Sequence, residues 1–148
     1  MYEHLLVPVD GSELSDRAIK HSIGLAKMLG AAITGFMAEP PLPVLVVDQA
    51  AVAYDVETFK EHDKRCEQHA RTVLQKFADE AKQAGVTFDG QFMITDNIQQ
   101  SIVDVAQRQK CDLIVMATHG RHGLDALIHG SLTKSVLAHS QLPLLIVH

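Results

Sequence analysis

The sequence predicts an α/β protein with a doubly wound, five-stranded parallel sheet and helices on both faces. Strand-like and helix-like segments alternate along all 148 residues, which is typical of parallel sheets whose strands are joined by helices. The apolar run 112–117 shows no polar alternation, as expected of a strand buried on both faces. No internal repeat or low-complexity tract interrupts this order. We therefore predict a single domain over residues 1–148.

The predicted elements alternate in type throughout. In order they are strand 5–9, helix 13–29, strand 32–38, helix 56–84, strand 86–94, a helix that begins after Asp96 or Asn97 and runs through 109, strand 112–117, helix 131–138 and strand 143–147. Capping and stop residues set the helix bounds. Ser12 caps the first helix and Gly30 ends it, Gly85 ends the second, and Asp96 or Asn97 caps the third. The choice between these two caps stays open.

Periodicity supports the long second helix and one edge strand. Apolar residues recur at helical spacing along 56–84, namely Phe59, Cys66, Ala70, Val73, Phe77, Ala81 and Ala84. Residues 86–94 alternate between apolar and polar, which predicts an edge or half-exposed strand. The prolines at 40, 41 and 43 exclude a helix, so the structure of segment 40–55 stays open, as does its role as a lid or a dimer contact.

Composition excludes several functional classes. The net charge of −5 offers no basic stripe for a nucleic-acid partner. No apolar run approaches the roughly 18 residues of a membrane span, and the N-terminus does not resemble a signal peptide. Cys66 and Cys111 are isolated, without a CxxC motif, and are expected to be buried, inert thiols. These features predict a cytoplasmic protein.

Two loops are predicted to share one edge of the sheet. If the first and fourth strands flank the point where strand order reverses, the turn at Asp10 and the loop 117–131 face one crevice. Gly120, Gly130, Ser131 and Thr133 would then bring backbone N–H groups and hydroxyls together as an anion cradle. A simpler alternative also stays open, in which Asp10 only caps the first helix and the glycines only form turns.

No established catalytic or metal-binding motif accompanies these loops. The chain has neither a Walker Gly-Lys-[Ser/Thr] sequence nor GxGxxG. His119, His122 and His129 do not have the spacing of a zinc site, so no metal is predicted there. The loops supply no convincing general base, so no catalytic residue is assigned and hydrolysis of a ligand is expected to be slow at most.

Three segments resemble the universal stress protein family over essentially the full chain. They are LLVPVDGS at 5–12, CDLIVMATHGRHG at 111–123, and Gly130-Ser131 together with PLLIV at 143–147. The ATP-binding branch of that family carries the motif Gly-x2-Gly-x9-Gly-[Ser/Thr]. Gly120, Gly130 and Ser131 match this motif, whereas Ala117 replaces its first glycine. The resemblance implies a Rossmann-like fold of the adenine nucleotide alpha hydrolase type.

The resemblance also implies a ligand site and partners. An adenine nucleotide (ATP, ADP or AMP) would contact Pro8, Val9, Asp10, Met37, Met116, Ala117, His119, Gly120, Gly130, Ser131, Leu132 and Thr133. Because the net charge of −5 is unfavourable for a bound polyphosphate, Mg²⁺ is expected to accompany the nucleotide. Family members act as regulatory proteins in stress responses and dimerise through the last strand. This predicts a homodimer through 143–147, whose apolar edge would otherwise be exposed, and a regulatory protein partner. A dimeric interaction scaffold that binds no nucleotide is the alternative, and Ala117 favours it.

Overall fold

The computed structural model describes residues 1–47, 50–52, 54–118 and 131–148. Seven strands and four helices lie in these ranges. In chain order they are β1 (His4–Pro8), α1 (Glu13–Leu29), β2 (Ala32–Glu39), β3 (Leu45–Val47), β4 (Ala50–Val52), α2 (Val56–Ala84), β5 (Phe88–Ile94), α3 (Ile98–Arg108), β6 (Leu113–Ala117), α4 (Ser131–His139) and β7 (Leu144–Val147). None of the described helices is long and apolar enough to cross a membrane.

Five of the strands form one parallel sheet in the order β5-β2-β1-β6-β7. The central strand β1 pairs with β2 on one side, where Leu5 lies opposite Ile33, and with β6 on the other side, where Leu5 lies opposite Leu113. Strands β5 and β7 form the two edges, as the alternation of 86–94 and the position of the last strand predict. The predicted sheet is confirmed.

Alternation along β1 divides the core into two layers. Leu5 and Val7 belong to one buried apolar cluster, which α1 and α2 cover with residues such as Ile19 and Phe77. Leu6 belongs to the opposite cluster, which α3 and α4 cover with residues such as Ile102 and Val136. Because successive side chains of a strand point to opposite faces, this pattern requires helices on both sides of the sheet. The predicted two-faced arrangement is therefore confirmed.

Capping residues fix the helix ends close to the predicted positions. The Ser12 side chain accepts a hydrogen bond from the N–H of Ser15 and caps α1, and Asn97 caps α3 by accepting from the N–H of Gln100. The cap of α3 is thus Asn97 and not Asp96, a choice that the sequence alone does not decide. Helix α2 covers the predicted 56–84, with Asp55 as its cap.

The segment that the sequence left unassigned contains a small hairpin. Strands β3 and β4 pair antiparallel, with Val46 opposite Ala51, and form a sheet of their own. Prolines at 40, 41 and 43 precede the hairpin and separate it from β2. The expected apolar stripe of α2 is buried in its second half, where Phe77 and Ala81 lie in the core, whereas Phe59 near its start is 44% exposed.

Candidate functional site

Strand order reverses between β1 and β6, the latter being the fourth predicted strand. From β1 the chain passes through α1 to β2 on one side, whereas β6 is followed by α4 and by β7 on the other side. The two strands are direct parallel neighbours, with Leu6 opposite Ile114. In doubly wound sheets, ligands bind in the crevice that forms at the carboxyl ends of such a pair. The first and fourth predicted strands thus flank the point where strand order reverses, as the predicted crevice requires.

The turn that follows β1 is held by three hydrogen bonds within residues 10–15. Asp10 Oδ1 accepts from the N–H of Ser12 at 2.9 Å, and Ser12 Oγ accepts from the N–H of Ser15 at 3.1 Å. The ring closes where the N–H of Asp10 donates to Ser15 Oγ at 3.2 Å. Ser12 therefore caps α1, and the alternative in which Asp10 is the cap is wrong. This ring of hydrogen bonds fixes the backbone at Asp10, whose residue is half-buried at the end of β1.

Gly11 is required in this turn for two reasons. Its φ is +78°, a conformation that L-amino acids with a side chain rarely adopt. A Cβ at this position would also lie 3.0 Å from His69 Nε2 and 3.0 Å from Val73 Cγ2, both on α2. The turn after β1 is therefore in close contact with the second helix, and its conformation depends on how α2 packs over the sheet.

A buried carboxylate orients His69 at this contact. Glu39, at the end of β2, is only 7% exposed, and its Oε1 lies 3.1 Å from His69 Nδ1. Since Glu39 holds one ring nitrogen, the other nitrogen of His69 faces Gly11. Neither Glu39 nor His69 is among the residues predicted from the sequence. His69 lies beside the predicted apolar stripe, three residues after Cys66 and one before Ala70, which is the signal that could have placed it near the sheet.

The predicted site residues of the first two strands lie at the carboxyl side of the sheet. Pro8 ends β1 and is half-buried, and Val9 is buried while its N–H donates to the carbonyl of Phe36 at 2.8 Å. Met37 is 1% exposed and pairs in register with Phe92 of β5, on the side of β2 away from β1. The structure brings Pro8, Val9 and Asp10 together at the crevice, and it places Met37 one strand away.

The end of β6 forms the wall of the crevice opposite the end of β1. Met116 is buried in the layer covered by α3 and α4, whereas Ala117 is half-buried and packs against the opposite cluster. The residue after β6 still pairs with the last strand, because the N–H of Thr118 donates to the carbonyl of Val147 in β7 at 3.1 Å. Met116 and Ala117 thus lie on the strand next to the one that carries Pro8, as the sequence argument requires.

The remaining predicted residues belong to the start of α4 or lie outside the described residues. Ser131 begins α4, where it and Leu132 are exposed and Thr133 is half-buried. A helix start presents backbone N–H groups that have no partner within the helix, which suits an anion. His119, Gly120 and Gly130 lie outside the described residues, as do His122 and His129.

A metal centre does not form in the described part of the chain. There, no group of three or more His, Cys, Asp or Glu side chains is arranged to hold a metal ion. The pair of Glu39 and His69 supplies two such groups, and the Cys66 thiol lies 3.5 Å from a second imidazole, that of His62.

Sequence comparison finds one family. The model of the Universal stress protein family matches residues 1–148. A universal stress protein of Methanocaldococcus jannaschii is 29% identical over 149 residues, which cover 99% of this chain and 82% of the relative. The universal stress protein A homolog 1 of Coxiella burnetii is 26% identical over 136 residues, covering 92% of this chain and 89% of that protein.

Comparison with solved structures gives the same fold. The universal stress protein UspA from Lactobacillus plantarum superposes with a TM-score of 0.82 at 20% identity, over 99% of this chain and 98% of its own. A universal stress protein solved in complex with cAMP gives 0.69 at 24% identity, over 99% and 97%. One from Archaeoglobus fulgidus in complex with dAMP gives 0.59 at 15% identity, over 99% and 98%. At these identities the likeness establishes the fold.

Proposed function

Because the chain belongs to the universal stress protein family, we propose that it binds an adenine nucleotide at the crevice between β1 and β6. In this proposal the bound nucleotide makes it a regulatory module of a stress response. The observation that carries the proposal is the direct pairing of β1 with β6, which brings the Asp10 turn and the end of β6 to one edge of the sheet. Two proteins of the same fold hold cAMP and dAMP, which supports an adenine ligand.

We assign the two ends of the nucleotide to the two loops. The Asp10 carboxylate, held at the end of β1 by its bond from Ser12, accepts hydrogen bonds from ribose hydroxyls, and Pro8 and Val9 flank the sugar and base. On the other wall, Met116 and Ala117 lie beneath the sugar. Ser131, Leu132 and Thr133 offer N–H groups and hydroxyls to the phosphates at the start of α4, together with His119, Gly120 and Gly130.

The net charge of the chain favours a cation with the phosphates. At a net charge of −5, a polyphosphate enters an unfavourable overall field, and Mg²⁺ would offset part of the phosphate charge. The proposed ligand is therefore ATP with Mg²⁺, and ADP or AMP are the related alternatives. Met37 would meet adenine only through its backbone, which lies in the β2–β5 pairing.

The proposal extends to assembly through β7. This strand is an edge of the five-stranded sheet, and Leu145 on it is 40% exposed. Pairing of β7 with its copy across a two-fold axis would cover this apolar edge with a self-complementary contact. We propose a homodimer of this kind, which would present two nucleotide sites to a regulatory partner.

The direct test is thermal unfolding with and without nucleotide. A ligand that binds only the folded state stabilises it, so Mg-ATP at about 100 times its dissociation constant should raise the melting temperature by roughly 5–10 °C. The same scan with ADP, AMP and cAMP ranks the candidates, and mass spectrometry of the freshly purified protein identifies any resident ligand. A folded protein whose melting temperature no adenine nucleotide changes at millimolar concentration would instead be an interaction scaffold.

A further inference from the structure

The turn that carries Asp10 is supported by two residues of other elements, Glu39 at the end of β2 and His69 on α2. Glu39 is buried and His69 is half-buried, and the Oε1 and Nδ1 atoms of this pair are 3.1 Å apart. A hydrogen bond at this distance fixes the plane of the imidazole ring, whichever of the two atoms donates. The orientation of His69 therefore follows from the position of Glu39.

Both members of this pair belong to well-packed parts of the fold. Glu39 lies opposite Ile94 of β5, and its carbonyl accepts a hydrogen bond from the N–H of Thr95 at 2.9 Å. On α2, the residue after His69 is Ala70, which is 1% exposed and belongs to the core cluster under that helix. Because close-packed interiors deform little, the strand and the helix hold the imidazole ring from two sides.

The far side of the ring packs against Gly11, the middle residue of the turn. A Cβ on Gly11 would lie 3.0 Å from His69 Nε2, so the imidazole occupies the space that a side chain at this position would need. The hydrogen bond from the N–H of Ser12 to Asp10 Oδ1 closes around Gly11. The ring therefore restricts the three residues whose backbone sets the position of the Asp10 carboxylate.

We propose that His69, oriented by Glu39, is a positioning residue of the nucleotide site. In this role it contacts no ligand, and it acts through Gly11 to keep the turn in the conformation in which the Asp10 carboxylate meets the ribose. A turn that is already ordered loses little conformational entropy when a ligand binds, so a preorganised carboxylate binds more tightly than a mobile one. This role rests on the proposed nucleotide site.

Amide hydrogen exchange tests the support of the turn in the absence of nucleotide. Removal of the ring in His69→Ala should speed exchange of the Ser12 N–H about fivefold, because its bond to Asp10 opens more often. The N–H of Gln100, in the comparable cap of α3, is the internal reference and should exchange as before. His21→Ala, at an exposed histidine of α1, is the matched control and should change neither rate. Unchanged exchange at Ser12 in His69→Ala would overturn the proposal.

Substitutions of Glu39 test whether its carboxylate acts through the ring. Glu39→Gln keeps a side chain of the same shape that still hydrogen-bonds to His69, so the affinity for Mg-ATP in isothermal titration should stay within roughly twofold. Glu39→Leu fills the space without the hydrogen bond and should weaken binding about fivefold, as His69→Ala does. Because the two residues act as a unit, the double variant should bind no more weakly than either single variant. Additive losses in the double variant, or a Glu39→Gln variant as weak as Glu39→Leu, would contradict the proposal.

A double-mutant cycle tests whether His69 acts through Asp10. His69→Ala should weaken Mg-ATP binding about fivefold in the otherwise unsubstituted protein and leave it unchanged in the Asp10→Asn background, where the carboxylate that it positions is absent. Thermal unfolding without nucleotide establishes that each variant is folded at the temperature of the titration. Equal losses in the two backgrounds, or no loss in the first, would overturn the positioning role alone. Absence of Mg-ATP binding by the folded, unsubstituted protein would overturn the proposed nucleotide site, and this role with it.

Discussion

The imidazole of His69 lies so close to the backbone of Gly11 that a single Cβ on Gly11 would come to 3.0 Å from Nε2. Glu39 Oε1, at 3.1 Å from the other ring nitrogen, holds the ring in this position. The contact joins the end of β2, the second helix and the turn that carries Asp10. The proposed ribose-binding carboxylate is thus supported by residues that are distant along the chain.

Substitution of Gly11 should destabilise this turn. In Gly11→Ala, the positive φ and the contacts with His69 and Val73 both oppose the added methyl group, so we expect a loss of about 1–3 kcal/mol in the free energy of unfolding. Urea denaturation measures it. Gly24→Ala on α1 is the matched control, because a Cβ there meets nothing within 4 Å. The control should be stabilised by about 0.5–1 kcal/mol. Equal effects of the two substitutions would show that Gly11 is not under strain.

The buried thiol of Cys111 should make stability depend on pH in the alkaline range. Burial raises the pKa of this thiol to about 11 in the folded protein, whereas the unfolded chain ionises near the ordinary value of 9.0. The group therefore contributes its full stability below pH 9, and this contribution is lost as the pH rises from 9 to 11. We expect a loss of about 2 kcal/mol across this interval.

Replacement of the thiol isolates this contribution. Cys111→Ala lacks the titrating group, so its free energy of unfolding should fall less steeply between pH 9 and 11 than that of the unsubstituted protein. The cavity left by the substitution lowers stability by a similar amount at each pH, and it does not change the slope. Parallel pH profiles for the two proteins would show that Cys111 does not ionise differently on unfolding.

The dimer proposal leads to a position-specific test on β7. The carbonyls of Pro143 and Val147 accept from β6, so backbone groups of residues 143, 145 and 147 face β6 and those of Leu144 and Ile146 face the edge. Ile146→Pro removes a donor at the proposed interface and should convert the dimer to a 16.2 kDa monomer in light scattering.

The neighbouring residue provides the control. Leu145→Pro removes a donor that faces β6 within the sheet, so it should lower thermal stability whether or not a dimer forms. If the unsubstituted protein scatters as a monomer at micromolar concentration, the edge of β7 is not a dimer interface. If Ile146→Pro remains a dimer, the interface lies elsewhere.

Local signals in the sequence were enough to predict most of the fold. Helix α2 was predicted over its full length because Gly85 ends a long apolar stripe, and the five strands of the main sheet were predicted because apolar runs separate the helices. The crevice at Asp10 followed from topology, since the carboxyl ends of adjacent parallel strands share an edge. The helix and strand predictions depend on the spacing of apolar residues within each element.

The contacts that the sequence did not predict join residues far apart in the chain. Glu39 and His69 are separated by 30 positions, and their pairing depends on how α2 lies across β2. Cys66 was expected to be buried because it shares the helical spacing of Phe77, yet α2 first enters the core at Ala70, one turn after Cys66. The hairpin β3–β4 has strands of three residues each, which is too short for periodicity to indicate.

The central claim is tested most directly by isothermal titration with Mg-ATP of the unsubstituted protein and of Asp10→Asn. Asparagine keeps an Oδ1 acceptor for the N–H of Ser12 but removes the charge that ribose hydroxyls would bind. Asp104→Asn on α3 is the control, since it makes the same change where Oδ1 accepts from Gln100. We predict saturable binding that Asp10→Asn weakens about tenfold and that Asp104→Asn leaves unchanged. Absence of binding by the folded protein at millimolar Mg-ATP, or equal affinity in all three proteins, would contradict a nucleotide site at Asp10.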